Sequence, residues 1–262
     1  MSSDDIVATA HALADAARDI VLAYFRADGL GADNKAGAGF DPVTEGDRAA
    51  EREMRRLLAE RRPRDGVLGE EYGHQPGQSG LTWVIDPIDG TRAFLSGTPT
   101  WGVLIAVADE NGPIFGIIDQ PYIGERFEGG LGRAQMHGPR GSRPLAARAG
   151  RPLSESILFT TFPEIGSEVE RAAFEAVARR VRLTRYGVDC YAYALVACGQ
   201  IDLVIEAGLQ PYDVQAPIAV IKAAGGIVTD WQGGPAHHGG RVLAAAAPEQ
   251  HAMALEILSG AP

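Results

Sequence analysis

Trp83-Val84-Ile85-Asp86-Pro87-Ile88-Asp89-Gly90-Thr91 is the stretch from which the rest of the chain can be read. An apolar run ending at an Asp-Pro step predicts a buried strand that stops where the backbone can no longer donate to a ladder. Two carboxylates then fall at one strand end. Pro87 fixes a turn from which Asp86, the carbonyl of Ile88 and Asp89 can converge, while Gly90 and Thr91 open a short helix whose first N–H groups face the same side. That is an oxygen-rich cradle for a hard cation beside an anion site. For an isolated D-P-x-D-G an Asx turn and a strand cap are the better reading, so carboxylates elsewhere have to decide.

Three other segments repeat the design of an acidic or hydroxyl residue at a strand–helix junction: Thr44 with Asp47, Glu70 with Glu71, and Asp213 in Q-P-Y-D-V. Each has a structural reading of its own, Thr44 and Asp213 as helix N-caps and Glu71 as a solvated side chain. Their joint presence favours a metal site. Carboxylates without a His or Cys cluster select magnesium, manganese or calcium over zinc, because hard cations prefer oxygen. The EF-hand spacing is absent, as are G-x-x-x-x-G-K-[ST], the D-x-D nucleophile, G-x-S-x-G and H-E-x-x-H. His237 and His238, between Pro and Gly in a turn, are not expected to bind metal, and His11 reads as a boundary residue of its helix.

At 262 residues the chain can bury a core as one domain or two intimate halves, and its 45% apolar and 22% charged content is that of a globular protein. A net charge of -10 speaks against non-specific nucleic-acid binding. Cys190 and Cys198 lie on one expected helix, about 12 Å apart along its axis, too far to bridge, so both should be free thiols. Met1-Ser2-Ser3-Asp4-Asp5 shows no basic leader and no long apolar run follows it, so no membrane span and a cytoplasmic location are expected.

Helical spacing covers residues 5–26 and 44–60; the glycine-rich stretch 28–41, with Lys35 its one cation, and residues 74–80 read as loops. Trp101–Ala108 and Pro113–Asp119 flank Glu110-Asn111-Gly112, a hairpin signal, and Glu125–Glu128 extends the meander. After residue 152 strands and helices alternate to the end, which implies helices layered on a sheet. We place the junction at 145/146: residues 1–145 form an α+β half with the main metal motifs, and residues 146–262 an α/β half with Asp213 and the substrate contacts, in one catalytic unit.

D-P-V-T-E-G-D, G-E-E, W-V-I-D-P-I-D-G-T and P-Y-D followed by A-A-G-G-I-V-T-D are similar, in order and over nearly the whole chain, to the inositol monophosphatase family of magnesium-dependent phosphomonoesterases. G-T-R-A-F-L-S-G-T-P-T-W-G and R-Y-G-V-D-C-Y-A-Y resemble its histidinol-phosphatase branch more than the inositol branch. The resemblance implies an α+β fold, a layered α-β-α-β-α sandwich, and usually a homodimer. It makes Glu70, Asp86, the Ile88 carbonyl, Asp89 and Asp213 the ligands of two or three magnesium ions, with manganese a possible substitute. Asp47 and Thr91 would orient and deprotonate the attacking water, with Glu70 also in the catalytic set, and the Gly90 and Thr91 amides would bind phosphate. The implied reaction is hydrolysis of histidinol phosphate. The alternatives are an inositol, other polyol or nucleotide phosphate, or a regulatory member that contacts RNA polymerase or RNA.

The resemblance implies Arg92, Asp189 and Glu206 as substrate contacts: Asp189 and Glu206 fall where the family places its substrate-contacting loop and strand end, and can meet an ammonium and an imidazole, while Arg92 shapes the pocket. Asp189 as a cap of the Cys190 helix and Glu206 as a solvated strand end are the structural alternatives, and Trp101 is expected in the core rather than in the pocket wall. Two departures from the family pattern concern the first loop: Lys35 is farther than usual from Pro42, and Asp41 stands where the family has serine.

Overall fold

The computed structural model describes residues 2–27, 33–34 and 42–260. Lys35 and Asp41 lie outside them. Ser2 caps the first helix, α1 (Ser3–Tyr24), by accepting the Asp5 N–H, and Asp4 and Asp5 suit the positive end of its dipole. Thr44 and Asp47 close a capping box on α2 (Glu45–Arg61). In the gap between the two helices, Asp33–Asn34 (β1) pairs antiparallel with Pro42–Val43 (β2), so part of the expected loop is extended backbone.

Then follow β3 (Gly66–Gly69), β4 (Gly73–Gln75), β5 (Thr82–Asp89), α3 (Thr91–Leu95), β6 (Gly102–Asp109), β7 (Gly112–Gln120), β8 (Glu125–Gly130), β9 (Arg133–Gly138) and β10 (Gly141–Pro144). These strands form a mixed sheet ordered β10-β9-β8-β7-β6-β5-β3-β4. The remainder comprises β11 (Ile157–Thr160), α4 (Glu168–Ala178), β12 (Leu183–Tyr186), α5 (Asp189–Ala197), β13 (Leu203–Leu209), α6 (Pro211–Ala223), β14 (Ile227–Thr229), β15 (Gly240–Ala245) and α7 (Pro248–Leu258). Its sheet runs β12-β11-β13-β15-β14.

Side-chain alternation sorts these elements into five layers. Trp83 and Ile85 of β5 and Val103, Ile105 and Val107 of β6 join Leu13, Ala17 and Val21 of α1 and Met54 and Leu58 of α2 in one core. Their neighbours Val84, Leu104 and Ala106 face the other way, into a core shared with Tyr193 and Val196 of α5, Val214, Ile218 and Ile221 of α6, and Val204 and Val242 of the smaller sheet. Leu203, Ile205 and Leu243 then turn outward onto Phe174 and Val177 of α4 and Leu258 of α7. The order is helix, sheet, helix, sheet, helix, an α+β sandwich. Helix α6 comes so close to the large sheet that a Cβ on Gly129 would stand 2.5 Å from the Val220 Cα.

Two local expectations need correction. Strand β5 does not stop at Asp86-Pro87 but runs on to Asp89. Asp86 pairs with Leu104 and Asp89 with Gly102, so three steps on β5 oppose two on β6 and Pro87 sits in a bulge, where no ladder donor is required. Residues 74 and 75, expected in a loop, belong to the short edge strand β4, which pairs with β3. Trp101 is fully buried and packs edge-on to Phe94, which makes it core. Among the described residues no helix is long and apolar enough to cross a membrane, and Cys190 and Cys198 are both free thiols.

Candidate active site

The bulge in β5 turns its acidic residues toward one point. Asp86 is 1% exposed and its Oδ1 accepts the Ile88 N–H at 3.0 Å, which holds the carboxylate against its own turn. The Thr91 hydroxyl donates to the Ile88 carbonyl at 3.2 Å. Gly90 adopts φ 83°, and a Cβ there would lie 2.7 Å from the Asp189 Cγ, so the turn admits glycine alone. Asp89 reaches into the second half of the chain, where its Oδ2 accepts the Cys190 N–H at 2.7 Å in the first turn of α5.

Asp213 arrives from α6. It is the third helical residue and not the cap, as the sequence had suggested: Gln210 is the cap, and the Asp213 Oδ2 accepts the Gln210 N–H at 2.7 Å. The turn places the other face of the carboxylate toward β5, and one oxygen each of Asp86, Asp89 and Asp213 lie within 4.8 Å of one another. Glu70, at the tip of the β3–β4 hairpin, is tied to β5 by its N–H on the Ile85 carbonyl at 3.3 Å, and its carboxyl contacts that of Asp86.

Gathering these acids has an electrostatic cost. Burial, and then the charges of Glu70, Asp89 and Asp213, hold the Asp86 carboxyl well above the usual range. Asp89 is raised too, by burial and by Asp189 and Asp213, against the hydrogen bond from Cys190. Asp47 is pushed up to about 6, chiefly by burial, while its bonds with Thr44 pull it down and the Glu70 charge pushes it further. A divalent cation relieves all of this repulsion at once. The donors are all oxygen, and the Asp47 Oδ1 is buried with no hydrogen-bond partner among the described residues, so the residues fit a hard cation such as magnesium, manganese or calcium.

Beside the cluster opens a cleft of about 420 Å³. Glu70, Asp89, Gly90, Thr91 and Arg92 line it together with Thr161, Phe162, Asp189, Tyr193, Glu206 and Tyr212. Arg92 lays its guanidinium over the Phe162 ring, 4.7 Å from the centroid. Asp189 sits at φ 47° and its Oδ2 accepts the Thr100 hydroxyl at 3.1 Å. Its side chain does not cap α5, because Asp89 has taken the Cys190 N–H. Nor is Glu206 a solvated strand end: it is 6% exposed and accepts the Thr160 hydroxyl, the Thr161 N–H and the Thr161 hydroxyl at 3.1, 2.7 and 2.9 Å. Burial raises its carboxyl to about 7 in spite of those three bonds.

Asp47 and Thr91 are not bonded to each other. The Asp47 Oδ2 holds the Thr44 N–H at 2.8 Å and the Thr44 hydroxyl at 2.5 Å, and the Thr91 hydroxyl is on Ile88. Thr160, Thr161, Phe162 and Tyr193 were not singled out from the sequence. The available signal was the T-T-F run at the end of a predicted strand, but only the parallel pairing of β11 with β13 sets it beside Glu206.

Comparison with known proteins follows this geometry. A model of the inositol monophosphatase family matches residues 2–261. The chain is 40% identical over 235 residues to the chloroplastic bifunctional phosphatase IMPL2 of Arabidopsis thaliana, covering 88% of this chain and 65% of that protein. It is 36% identical over 248 residues to a histidinol-phosphatase of Mycobacterium tuberculosis, covering 93% and 94% of the two chains. The solved structure of an inositol monophosphatase from Zymomonas mobilis superposes with a TM-score of 0.87 at 37% identity, over 99% of this chain and 100% of that one. With the match running the length of the chain and the layered fold superposing over all of it, this protein belongs to the inositol monophosphatase family, a family of phosphatases.

Proposed function

We propose that the protein is a magnesium-dependent phosphomonoesterase whose substrate is histidinol phosphate. The observation that carries the reading is the convergence of Asp86, Asp89 and Asp213 to within 4.8 Å beside a cleft whose lining includes two further carboxylates, the half-buried Asp189 and the buried Glu206. Glu70, Asp86, the Ile88 carbonyl, Asp89 and Asp213 would hold two or three magnesium ions, or manganese in their place, which neutralise the phosphate and make water a better nucleophile.

The chain's own groups do the rest. The Gly90 and Thr91 amides, next to Asp89 on the cleft wall, take phosphate oxygens. The Thr91 hydroxyl, held on the Ile88 carbonyl, orients the attacking water. Asp47, its carboxyl near 6 and one oxygen without a protein partner, accepts the water's proton, with Glu70 beside it. The new bond runs from the water oxygen to phosphorus as the bond to the substrate's alkoxy oxygen breaks. Asp189 and Glu206 face the leaving group, whose ammonium and imidazole they can accept hydrogen bonds from, with Arg92 and Phe162 closing the rim.

Inositol 1-phosphate is the second reading, because buried carboxylates also accept hydroxyl hydrogens and the matched Zymomonas structure is an inositol monophosphatase. Purified protein assayed with magnesium against histidinol phosphate, inositol 1-phosphate and a nucleotide bisphosphate decides between them. A kcat/KM for inositol 1-phosphate above that for histidinol phosphate would overturn the substrate assignment. The acidic net charge of -10 speaks against a nucleic-acid partner. A cytoplasmic homodimer belongs to the proposal: the two thiols are free, and the edge strand β12 exposes Leu183 and Tyr186. A monomer by light scattering would remove that part.

A further inference from the structure

Helix α2 carries a second buried acid, one turn beyond Asp47, to which no part of the reaction has been assigned. Glu51 is 0% exposed, on a face otherwise made of Gly46, Ala50, Met54, Leu58 and Asp47, where helical periodicity asks for an apolar residue. Its carboxylate is spent on the hairpin tip that bears Glu70. Oε2 accepts the Glu71 N–H at 2.7 Å, and Oε1 accepts the Tyr72 N–H at 3.2 Å. Arg55, the next residue along that face, donates Nε to Oε1 at 2.7 Å and Nη2 to the Gly73 carbonyl at 2.5 Å, tying the far side of the tip to the same helix. The fit is close enough that a Cβ on Gly69 would stand 2.1 Å from the Glu51 Oε1.

Glu70 is thus held from both directions. Its own N–H is on β5 through the Ile85 carbonyl, and the next two N–H groups are on α2 through Glu51. The helix that grips the tip is the one that presents Asp47 to the site. We propose that Glu51 is a positioning residue that sets the Glu70 carboxylate against Asp86 and Asp47 in the geometry a divalent cation requires. The role rests on reading the cluster as a metal site. A carboxylate is needed because N–H donors reach both of its oxygens, Glu71 on Oε2 and Tyr72 with Arg55 on Oε1. Glutamine offers one acceptor oxygen and an NH₂ group that would face the other donor.

The test compares magnesium binding by calorimetry, with no substrate present, in wild type, Glu51→Gln and Gly69→Ala. The second variant displaces the Glu51 carboxylate without changing any charge, and it keeps the test open should the first fail to fold. Both are expected to bind magnesium 10- to 100-fold more weakly, the loss typical when the support of a ligand is removed. At saturating magnesium, KM for the phosphomonoester should stay within about twofold of wild type. A merely structural role would lower the melting temperature and leave magnesium affinity alone, so wild-type affinity in either folded variant overturns the proposal. If wild type itself takes up no magnesium, the metal-site reading falls and this role with it; normal uptake by all three proteins overturns the role of Glu51 only.

Discussion

Replacing Asp86 by Asn should make the metal-free protein more stable and the magnesium-loaded protein less so. Asn keeps the volume and can still accept the Ile88 N–H that Asp86 Oδ1 accepts at 3.0 Å, so the local turn survives. What disappears is a buried charge facing Asp89 and Asp213 within 4.8 Å and touching Glu70. At that limit two full charges repel by about 3 kcal/mol in a medium of effective dielectric near 20. Uptake of a shared proton relieves part of this, leaving about 2 kcal/mol as the expected gain at pH 8 in chelator, or roughly 5 °C in melting temperature for a chain of this size. Magnesium at a hundred times its dissociation constant should stabilise wild type by about 2.7 kcal/mol and the variant by much less.

The sign with pH follows from burial. Because the folded-state pKa of Asp86 is raised, its contribution is most favourable at low pH and is lost as pH rises through that value. Metal-free wild type should therefore weaken more steeply than the variant as pH rises above 3.8, the ordinary value of an aspartate. Scanning calorimetry with and without chelator reads all three effects. A metal-free variant that melts below wild type yet keeps the full magnesium shift would refute the reasoning.

Thr91→Ala should lower kcat by about 10- to 100-fold with little change in KM, since the hydroxyl acts mainly in the transition state; steady-state kinetics at saturating magnesium would show an equal loss in KM if the residue were instead a phosphate clamp. Gly90→Ala places a Cβ 2.7 Å from the Asp189 Cγ at φ 83°, and urea unfolding should report a loss of about 1–3 kcal/mol; an unchanged midpoint would contradict the turn described. Glu206, raised from 4.5 to about 7, favours folding below pH 4.5 and gives up about 3 kcal/mol as pH passes 7. Glu206→Gln should flatten that slope in stability-versus-pH titrations and raise KM for histidinol phosphate more than for 4-nitrophenyl phosphate; an equal rise for both substrates would detach Glu206 from the leaving group.

Several features of this molecule are written within a few residues of where they act. The stripe Leu13, Ala17, Val21 makes α1 one-sided, Thr44 and Asp47 close their box across a single turn, and Asn111-Gly112 turns β6 back onto β7. These depend on period and on neighbours one to four residues away, so they can be read before anything else is known. The bulge at Pro87 shows where that reach ends. Proline announces a break in the ladder, but whether the strand stops or skips a step depends on β6, and the pairing resumes at Asp89 opposite Gly102.

By itself the sequence determined that four acidic segments were available, that their ligands would be oxygen, and that helices and strands would alternate in layers. Only the tertiary structure decided what each carboxylate does. Asp89 caps a helix 101 residues away, Glu206 is buried under hydroxyls from a neighbouring parallel strand, and Glu51 faces a hairpin tip 20 residues on. The physical reason is that a carboxylate's charge state and partners are set by the few ångströms around it, and in this fold those ångströms are filled by segments remote along the chain.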